Sequence, residues 1–513
     1  MTNKFELWET PLIDPAQNGH GILIEASAGT GKTFSIERIV VRLLCDIAEP
    51  SFTPQKLLVV TFTKAATAEL NRRLKATLSS AYDHLSKALE ILEGANKNAS
   101  LDNETDAVTR ALNALGEFKF FKNTEEVSLE RMTKIHQRAS EALRQFDQAT
   151  ITTIHGFCQR MLERHPLSGL TPTQVECIDR DDELREQAVY AAKTARLSST
   201  KPLTEACRKA IFNQPLEGLL AEVMHHPEID DTQLTTLPEG LEIANQDVAL
   251  EIAQVLADAR RRLIEAKKAA GVRTQNDLLF EMREAVKKPA FAAAVREAYR
   301  AVLIDEFQDT DQCQFEIFDT LFMSGVDQAN DHEHRSLVFV GDPKQAIYRF
   351  RGADIEAYRR AKKAVAHTYQ LKKNWRTTKK LIDILNTIFK PCGTQIGTED
   401  RFTLERYTDV EAADVSETHA YPLRNQDGTE QSVLTIQIGN EKWKQDDRIQ
   451  SMKADILKRL ANDQIKTKEG LRALKPSDIA ILVHKNADIQ AINDCFGRDL
   501  LTTGSQKVSI YAT

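Results

Sequence analysis

Gly29-Thr30-Gly31-Lys32-Thr33 sets a primary amine and a hydroxyl directly behind residues small enough for the backbone to approach an anion. In such a loop successive N–H groups face inward, and the N-terminus of a following helix adds partial positive charge. Lys32 would then reach the outer phosphates of a nucleotide, and the Thr33 hydroxyl would be a ligand for Mg²⁺. The whole loop reads Ala26-Ser27-Ala28-Gly29-Thr30-Gly31-Lys32-Thr33, with Ala26 where glycine usually opens the pattern. The competing reading is an ordinary strand-to-helix turn that happens to contain Gly-x-Gly-Lys-Thr.

A second group is acidic. Asp305 and Glu306 follow the apolar run Ala301-Val302-Leu303-Ile304. One carboxylate there can hold Mg²⁺, and its neighbour can polarise a water for attack on a phosphorus atom. A third stretch, Ser336-Leu337-Val338-Phe339-Val340, ends in Gly341-Asp342-Pro343-Lys344-Gln345, which sets Gln345 on the nucleotide side. Tyr348-Arg349-Phe350-Arg351 then alternates aromatic and cationic side chains, the combination that stacks on bases and holds phosphates of a single strand. Thr61-Phe62-Thr63-Lys64 offers hydroxyls and a cation at a strand end, for phosphodiester contact or as a helix cap. His155, in Thr153-Ile154-His155-Gly156, reads by itself as a satisfied core histidine.

The elements that must position these groups alternate strand and helix. Ile22-Leu23-Ile24, Leu57 to Val60, Ala301 to Ile304, Ser336 to Val340 and Thr368 to Leu371 read as strands, while Ala149 to Cys158 returns to β-branched residues, with a helix expected after Gly156. Phe34 to Ile47 carries Ile36, Ile39, Val40, Leu43 and Leu44 on one helical face. Leu78 to Phe146 and Pro166 to Ala298 are dominated by helical periodicity, with Pro227 to Gly240 as a loop. On the helix from Val248 to Ala270, Arg260, Arg261, Arg262, Lys267 and Lys268 read as a solvated face or a nucleic-acid contact. Val433 to Ile438 and Asp478 to Val483 read as two further strands, with a helix from Arg448 to Leu460 between them.

Composition narrows the class. At 513 residues the chain is too long for one core; length alone suggests roughly three or four domains. The first fourteen residues lack the basic-then-apolar order of a secretory signal. No apolar run approaches the ~18 residues a membrane span needs. Seven scattered cysteines with no Cys-x-x-Cys pair argue against a zinc or iron–sulfur site and fit a reducing cytoplasm. The net charge of −7 gives no global sign of a nucleic-acid partner, yet Lys344 to Lys380 holds twelve Lys and Arg against two acids. A polyanion would meet a local basic surface there.

The ordered set EASAGTGKT, VVTFTKAATAELNRRL, TIHGFCQRML, LIDEFQDTD, VGDPKQAIYRFRGAD and LKKNWRT resembles superfamily 1 DNA helicases of the UvrD/Rep type, and more narrowly the RecB type of exodeoxyribonuclease V. The resemblance implies an α/β fold, a RecA-like P-loop NTPase domain with a helical insertion and part of a second RecA-like domain. It places the first domain at 1–75, 149–165 and 299–366, helical insertions at 76–148 and 166–298, and the partial second domain at 367–513. It implies ATP and Mg²⁺ as cofactors, with Lys32 and Thr33 on phosphate and metal, Asp305 on the metal and Glu306 activating water. Gln345 would sense the γ-phosphate and Arg376 would be an arginine finger, while Thr63, His155, Tyr348, Phe350 and Arg351 would face DNA. Implied partners are single-stranded DNA, duplex ends, and RecC- and RecD-type subunits, with 3′-to-5′ travel; an AddA-type pairing is the variant. The remaining helicase motifs and a nuclease domain are expected beyond Thr513, so residues 1–513 alone would bind ATP yet turn it over poorly.

Overall fold

The computed structural model describes residues 3–4, 7–8, 10, 12, 21–46, 52–97, 101–165, 175–225, 246–324, 335–346, 355–389, 409–414, 423–425, 427–436, 444–467, 470–483 and 485–497. By its internal contacts the chain divides into two units: Met1–Glu25 with Thr33–Gln370, and Ala26–Lys32 with Leu371–Thr513.

The first unit is built on β1 (Asn3–Lys4), β2 (Ile22–Ala26), β3 (Leu57–Thr61), β4 (Thr150–Thr153), β5 (Glu176–Ile178), β6 (Val272–Thr274), β7 (Ala301–Ile304), β8 (Ser336–Gly341) and β9 (His367–Leu371). Seven of these form one sheet in the order β1-β9-β2-β8-β7-β3-β4. The pairs β1/β9, β2/β8, β8/β7, β7/β3 and β3/β4 are all parallel. Strands β3, β7 and β8 are buried along their whole length, as a parallel sheet covered on both faces requires.

The helices that cover or extend the sheet follow in chain order. They are α1 (Lys32–Cys45), α2 (Lys64–Lys97), α3 (Leu101–Ala114), α4 (Leu129–Gln145), α5 (Ile154–Arg164), α6 (Asp182–Leu197), α7 (Glu205–Asn213) and α8 (Glu217–His225). After them come α9 (Gln246–Ala270), α10 (Gln275–Val286), α11 (Pro289–Ala298), α12 (Gln312–Phe322) and α13 (Ile355–Ala364). Helix α1 is buried from Ser35 to Cys45, charged residues included. Glu37 is satisfied there by Arg38 (2.8 Å), Arg73 (2.6 Å) and the Thr77 hydroxyl (2.8 Å). Arg42 donates to the Thr10 carbonyl at 2.6 Å, so each buried charge has a partner.

The sequence expectation for 166–298 divides in two. Helices α6 to α9 enclose a core of their own around Val189, Ile211, Leu220, Ile252 and Leu256. Helices α10 and α11 instead join the sheet's core: Met282, Phe291 and Val295 pack with Val302 and Phe339. Helical periodicity alone does not say which layer a helix covers. Likewise α2 runs unbroken through residues 75 and 76, and β9, read from sequence with the second domain, pairs with β1 in the first sheet.

Within the basic run of α9, Arg261 and Lys268 are exposed, as a solvated face requires, and Arg261 and Arg262 pair with Asp258; Lys267 alone departs from that reading. Lys267 is buried, with Asp181 at 2.6 Å and Asp277 at 2.8 Å, and Asp181 also bonds Arg185. Asp181 precedes α6, Lys267 ends α9 and Asp277 opens α10, so the cluster ties both ends of the helical module to the α10 side of the main core.

In the second unit, β10 (Lys373–Asn374) pairs in parallel with β11 (Glu411–Ala412). Strands β12 (Arg424–Asn425), β13 (Asp463–Thr467) and β14 (Gly470–Ala473) form an antiparallel sheet. Helices α14 (Lys379–Phe389), α15 (Gln445–Asn462) and α16 (Asn486–Gly497) complete it, with Ile449, Ile492 and Phe496 as a small core. The helix read at 448–460 is present. The two strands read beside it are not: residues 433–436 and 479–483 carry no strand, and 437–438 lie outside the described residues. Ile436 is 73% exposed and Leu482 is 95% exposed, so the burial that a strand pattern presupposes is missing.

Burial opposes ionisation of Asp181, but its bonds to Lys267 and Arg185 outweigh that and hold its carboxyl below the usual range. Lys267→Met should therefore destabilise the first unit by about 3–5 kcal/mol at pH 7, because two aspartates lose their cation. A depressed carboxyl stabilises fully above the unfolded aspartate pKa, about 3.9, and that stability is lost as pH falls through the lower folded value. Melting curves of both proteins should accordingly converge in acid; an equal gap at pH 7 and pH 3 would exclude the charge cluster as the cause.

Candidate functional site

Registers fix where the strands end. Glu25 pairs with Gly341, Ile304 with Phe339, Val60 with Ile304, and Thr61 with Thr153. The C-terminal ends of β2, β8, β7, β3 and β4 thus lie side by side along one edge, about 4.8 Å apart per strand. In open α/β sheets ligands bind beyond that edge. The glycine-bearing loop continues from β2, Asp342 to Gln345 from β8, Asp305 and Glu306 from β7, Thr63 from β3 and His155 from β4.

The loop after β2 turns on two glycines. Gly29 has φ +78° and Gly31 φ +92°, a region open to glycine at little cost. Ala26 is the last strand residue and is not among the positive-φ positions, so the backbone there does not require glycine. The Thr30 hydroxyl and N–H both bond the Ser27 carbonyl, at 2.7 and 3.1 Å, which closes the turn before α1 starts at Lys32.

At the end of β7 the Asp305 N–H bonds the Val60 carbonyl at 2.9 Å, extending the ladder by one residue. Glu306 then takes φ 53°, ψ 41°, the one positive φ of a non-glycine among the described residues. Asp305 Oδ1 accepts from the Glu306 N–H at 2.9 Å, and Glu306 Oε2 accepts from Gln308 Nε2 at 2.7 Å. Gln308 Oε1 in turn accepts from the Asp342 N–H at 2.9 Å. Asp342 Oδ2 accepts from Gln345 Nε2 at 2.8 Å, and its Oδ1 accepts from the Lys344 ammonium at 2.9 Å. A continuous hydrogen-bond chain therefore runs from Glu306 to Gln345 across the ends of β7 and β8.

Sequence reasoning overlooked Gln308, Asp342 and Glu25. Gln308 is 2% exposed, and a buried amide needs every partner it can find; its place two residues after the acidic pair was the available signal. Glu25 accepts from the Lys362 ammonium at 2.7 Å and the Tyr358 hydroxyl at 3.2 Å, which holds the end of β2 to α13.

Thr63 is exposed and its Oγ1 accepts from the Ala66 N–H at 3.1 Å, so it caps α2. His155 is half-buried in the first turn of α5, which Thr153 caps through the Gly156 N–H at 3.2 Å. Burial pushes the His155 imidazole below its ordinary pKa, so it is neutral at pH 7. The helix here begins at Ile154, two residues before the glycine from which it was expected. Arg376 follows β10 in the second unit. Tyr348, Phe350 and Arg351 lie outside the described residues. Among those described, no group of three or more His, Cys, Asp or Glu could hold a metal by itself, and no helix is long and apolar enough to cross a membrane.

Comparison with known proteins adds to this geometry. Residues 13–366 match the UvrD/REP helicase N-terminal domain. The chain is 32% identical to the RecBCD enzyme subunit RecB of Mycolicibacterium smegmatis, over 75% of this chain and 31% of that protein. It is 27% identical to the RecB of Escherichia coli, over 74% of this chain and 38% of that protein. Against the RecB of Buchnera aphidicola the identity is 25%, over 96% of this chain and 48% of that protein. The chain spans less than half the length of these relatives.

A Cβ placed on Gly341 would stand 2.8 Å from Gln308 Oε1 and 3.2 Å from Gln308 N. Gly341→Ala should overpack this contact at about 1–3 kcal/mol, lower the melting temperature and speed hydrogen exchange at the Asp342 amide. Wild-type exchange at that amide would show that Gln308 does not constrain the end of β8.

Proposed function

Because the chain belongs to the UvrD/REP helicase family, we propose that it is the ATP-binding motor portion of a RecB-type DNA helicase acting in double-strand-break repair and recombination. The observation that carries this reading is the shared sheet edge, where the phosphate-loop strand and the acidic-pair strand flank β8. The residues fit the nucleotide. Two left-handed glycines give a loop of small residues at a helix N-terminus, which suits a polyphosphate. The donor set fits Mg²⁺ as well, since that ion is held by one or two protein oxygens together with substrate phosphates rather than by an all-protein cage.

When bound, the Mg²⁺-nucleotide would supply the scissile phosphoanhydride, with the metal ion neutralising negative charge on the phosphates. The side chains then take separate roles. Ala26 to Gly31 present backbone N–H groups, and Lys32 donates to the outer phosphates. Thr33 and Asp305 offer the hard oxygens for the metal. Glu306 accepts the proton of the attacking water, and its bond from Gln308 fixes where that acceptor sits. Gln345 reads the outer phosphate, and Arg376 neutralises charge at the reacting group.

Thr63 and His155 stand beyond the adjacent ends of β3 and β4. A strand of DNA crossing there would meet two helix N-termini, a hydroxyl and a neutral imidazole, with Tyr348, Phe350 and Arg351 supplying stacking and charge. The proposal extends to duplex ends as substrate, 3′-to-5′ travel and a cytoplasmic setting; the relatives' name, RecBCD enzyme subunit RecB, supports extending it to assembly with RecC- and RecD-type subunits.

Lys32→Ala should lose ATP-analogue binding with its circular dichroism unchanged. Glu306→Gln should keep that binding and lose single-turnover hydrolysis by ~10²–10⁴-fold, the usual worth of a positioned base. Intact affinity in Lys32→Ala would overturn the phosphate-loop assignment. Hydrolysis at wild-type rate in Glu306→Gln would remove Glu306 from the base role. A wild-type chain that binds ATP but hydrolyses none, with or without an oligonucleotide, would make it a non-translocating binding module.

A further inference from the structure

Asn374 ends β10 and is 8% exposed. Its side chain is engaged at both its nitrogen and its oxygen. Nδ2 donates to the Ala28 carbonyl at 2.7 Å, while Oδ1 accepts from the N–H groups of Arg376 at 2.9 Å and Thr377 at 3.1 Å. Beside it the Trp375 N–H donates to the Gly29 carbonyl at 2.8 Å. The loop Ala26–Lys32 and this segment belong to the same unit.

A loop that turns its N–H groups toward an anion must satisfy its carbonyls elsewhere. Here residues 374 and 375 satisfy two in a row. The approach is close: a Cβ on Gly29 would lie 2.7 Å from Asn374 Nδ2 and 2.8 Å from Arg376 Cβ. Gly29 therefore lacks a side chain for two reasons, its left-handed φ and the segment lying on it. One amide thus holds the back of the loop with its donor and, with its acceptor, shapes the turn that carries Arg376.

We propose that Asn374 is a positioning residue that clasps the phosphate loop to the Arg376 turn, so that the shape of one sets the reach of the other. The inference rests on the reading of the loop and Arg376 as nucleotide-binding groups. The clasp itself is a property of the nucleotide-free chain, and aspartate is not equivalent to asparagine in it. Asn374→Asp keeps the acceptor for the Arg376 and Thr377 amides but has no donor for the Ala28 carbonyl. Asn374→Ala loses both.

The experiment uses the full chain in two arms. In the first, hydrogen exchange is followed by mass spectrometry without nucleotide. Asn374→Ala should speed exchange in peptides covering 26–33 and 374–378 while β3, β7 and β8 stay protected; Asn374→Asp should speed the loop peptide only. In the second arm, affinity for a non-hydrolysable ATP analogue is measured in a cycle with Arg376→Ala. Asn374→Ala should weaken binding about tenfold alone and by less than about threefold when Arg376 is already alanine, since an interaction within one unit is lost only once. Unchanged exchange, or additive losses in the cycle, would overturn the clasp. A wild-type chain that binds no nucleotide would instead overturn the nucleotide reading, and the first arm would still decide the clasp.

Discussion

Parallel pairing of β2, β8, β7, β3 and β4 sends every one of these strands to the same edge of the sheet, and the rest of the molecule follows from that. Residues as distant in sequence as Glu25 and Gly341 become register partners because their strands run the same way at the same height. Such a sheet persists only when both faces are covered. Helices α5 and α10 to α13 share one core with it, and α1, buried from Ser35 to Cys45, shows how little surface is left over. A slip of one residue in any ladder would turn the apolar set toward the wrong face and displace the terminal polar residue along the edge. Packing and placement of polar residues are therefore one constraint.

Polar groups inside this framework are linked in series. The path Glu306–Gln308–Asp342–Gln345 joins two strand ends through side-chain and backbone groups, and Lys344 adds a charge to the same aspartate. The Asn374 bonds are the counterpart in the second unit. Each link is worth about 0.5–1.5 kcal/mol net, so none decides stability alone. Breaking one leaves a buried amide or carboxylate unsatisfied, which costs more than the bond supplied. Such networks fix geometry more than they add stability.

Much of this was legible in the sequence where local chemistry is strong. The apolar runs before Ala26, Asp305 and Gly341 are strands because nothing else buries four or five consecutive β-branched or apolar residues so fully. The loop glycines were legible for the same local reason. What was not legible depends on partners far away. Whether α10 and α11 cover the main sheet or the helical module, whether β9 joins β1, and whether residues 479–483 find a ladder are settled by tertiary choice, to which periodicity is blind. Lys267 carries the same lesson for charge: its sequence neighbours are Lys and Ala, yet two aspartates from other elements enclose it.

The backbone at Glu306 ties these threads together. A non-glycine residue in the left-handed region costs roughly 1–2 kcal/mol, and the usual remedy would be glycine or asparagine. Neither supplies a carboxylate, so here the conformation is held by its surroundings. Asp305 Oδ1 takes the Glu306 N–H, Gln308 takes the carboxylate, and Phe307 next in line is fully buried against Phe339 and Tyr358. With Phe307 locked into the core and Asp305 continuing the ladder to Val60, the chain has one residue in which to turn from strand to 3₁₀ helix. That residue is the glutamate. The strain falls on the residue proposed above as the proton acceptor, and the core beneath supplies the energy that keeps it there.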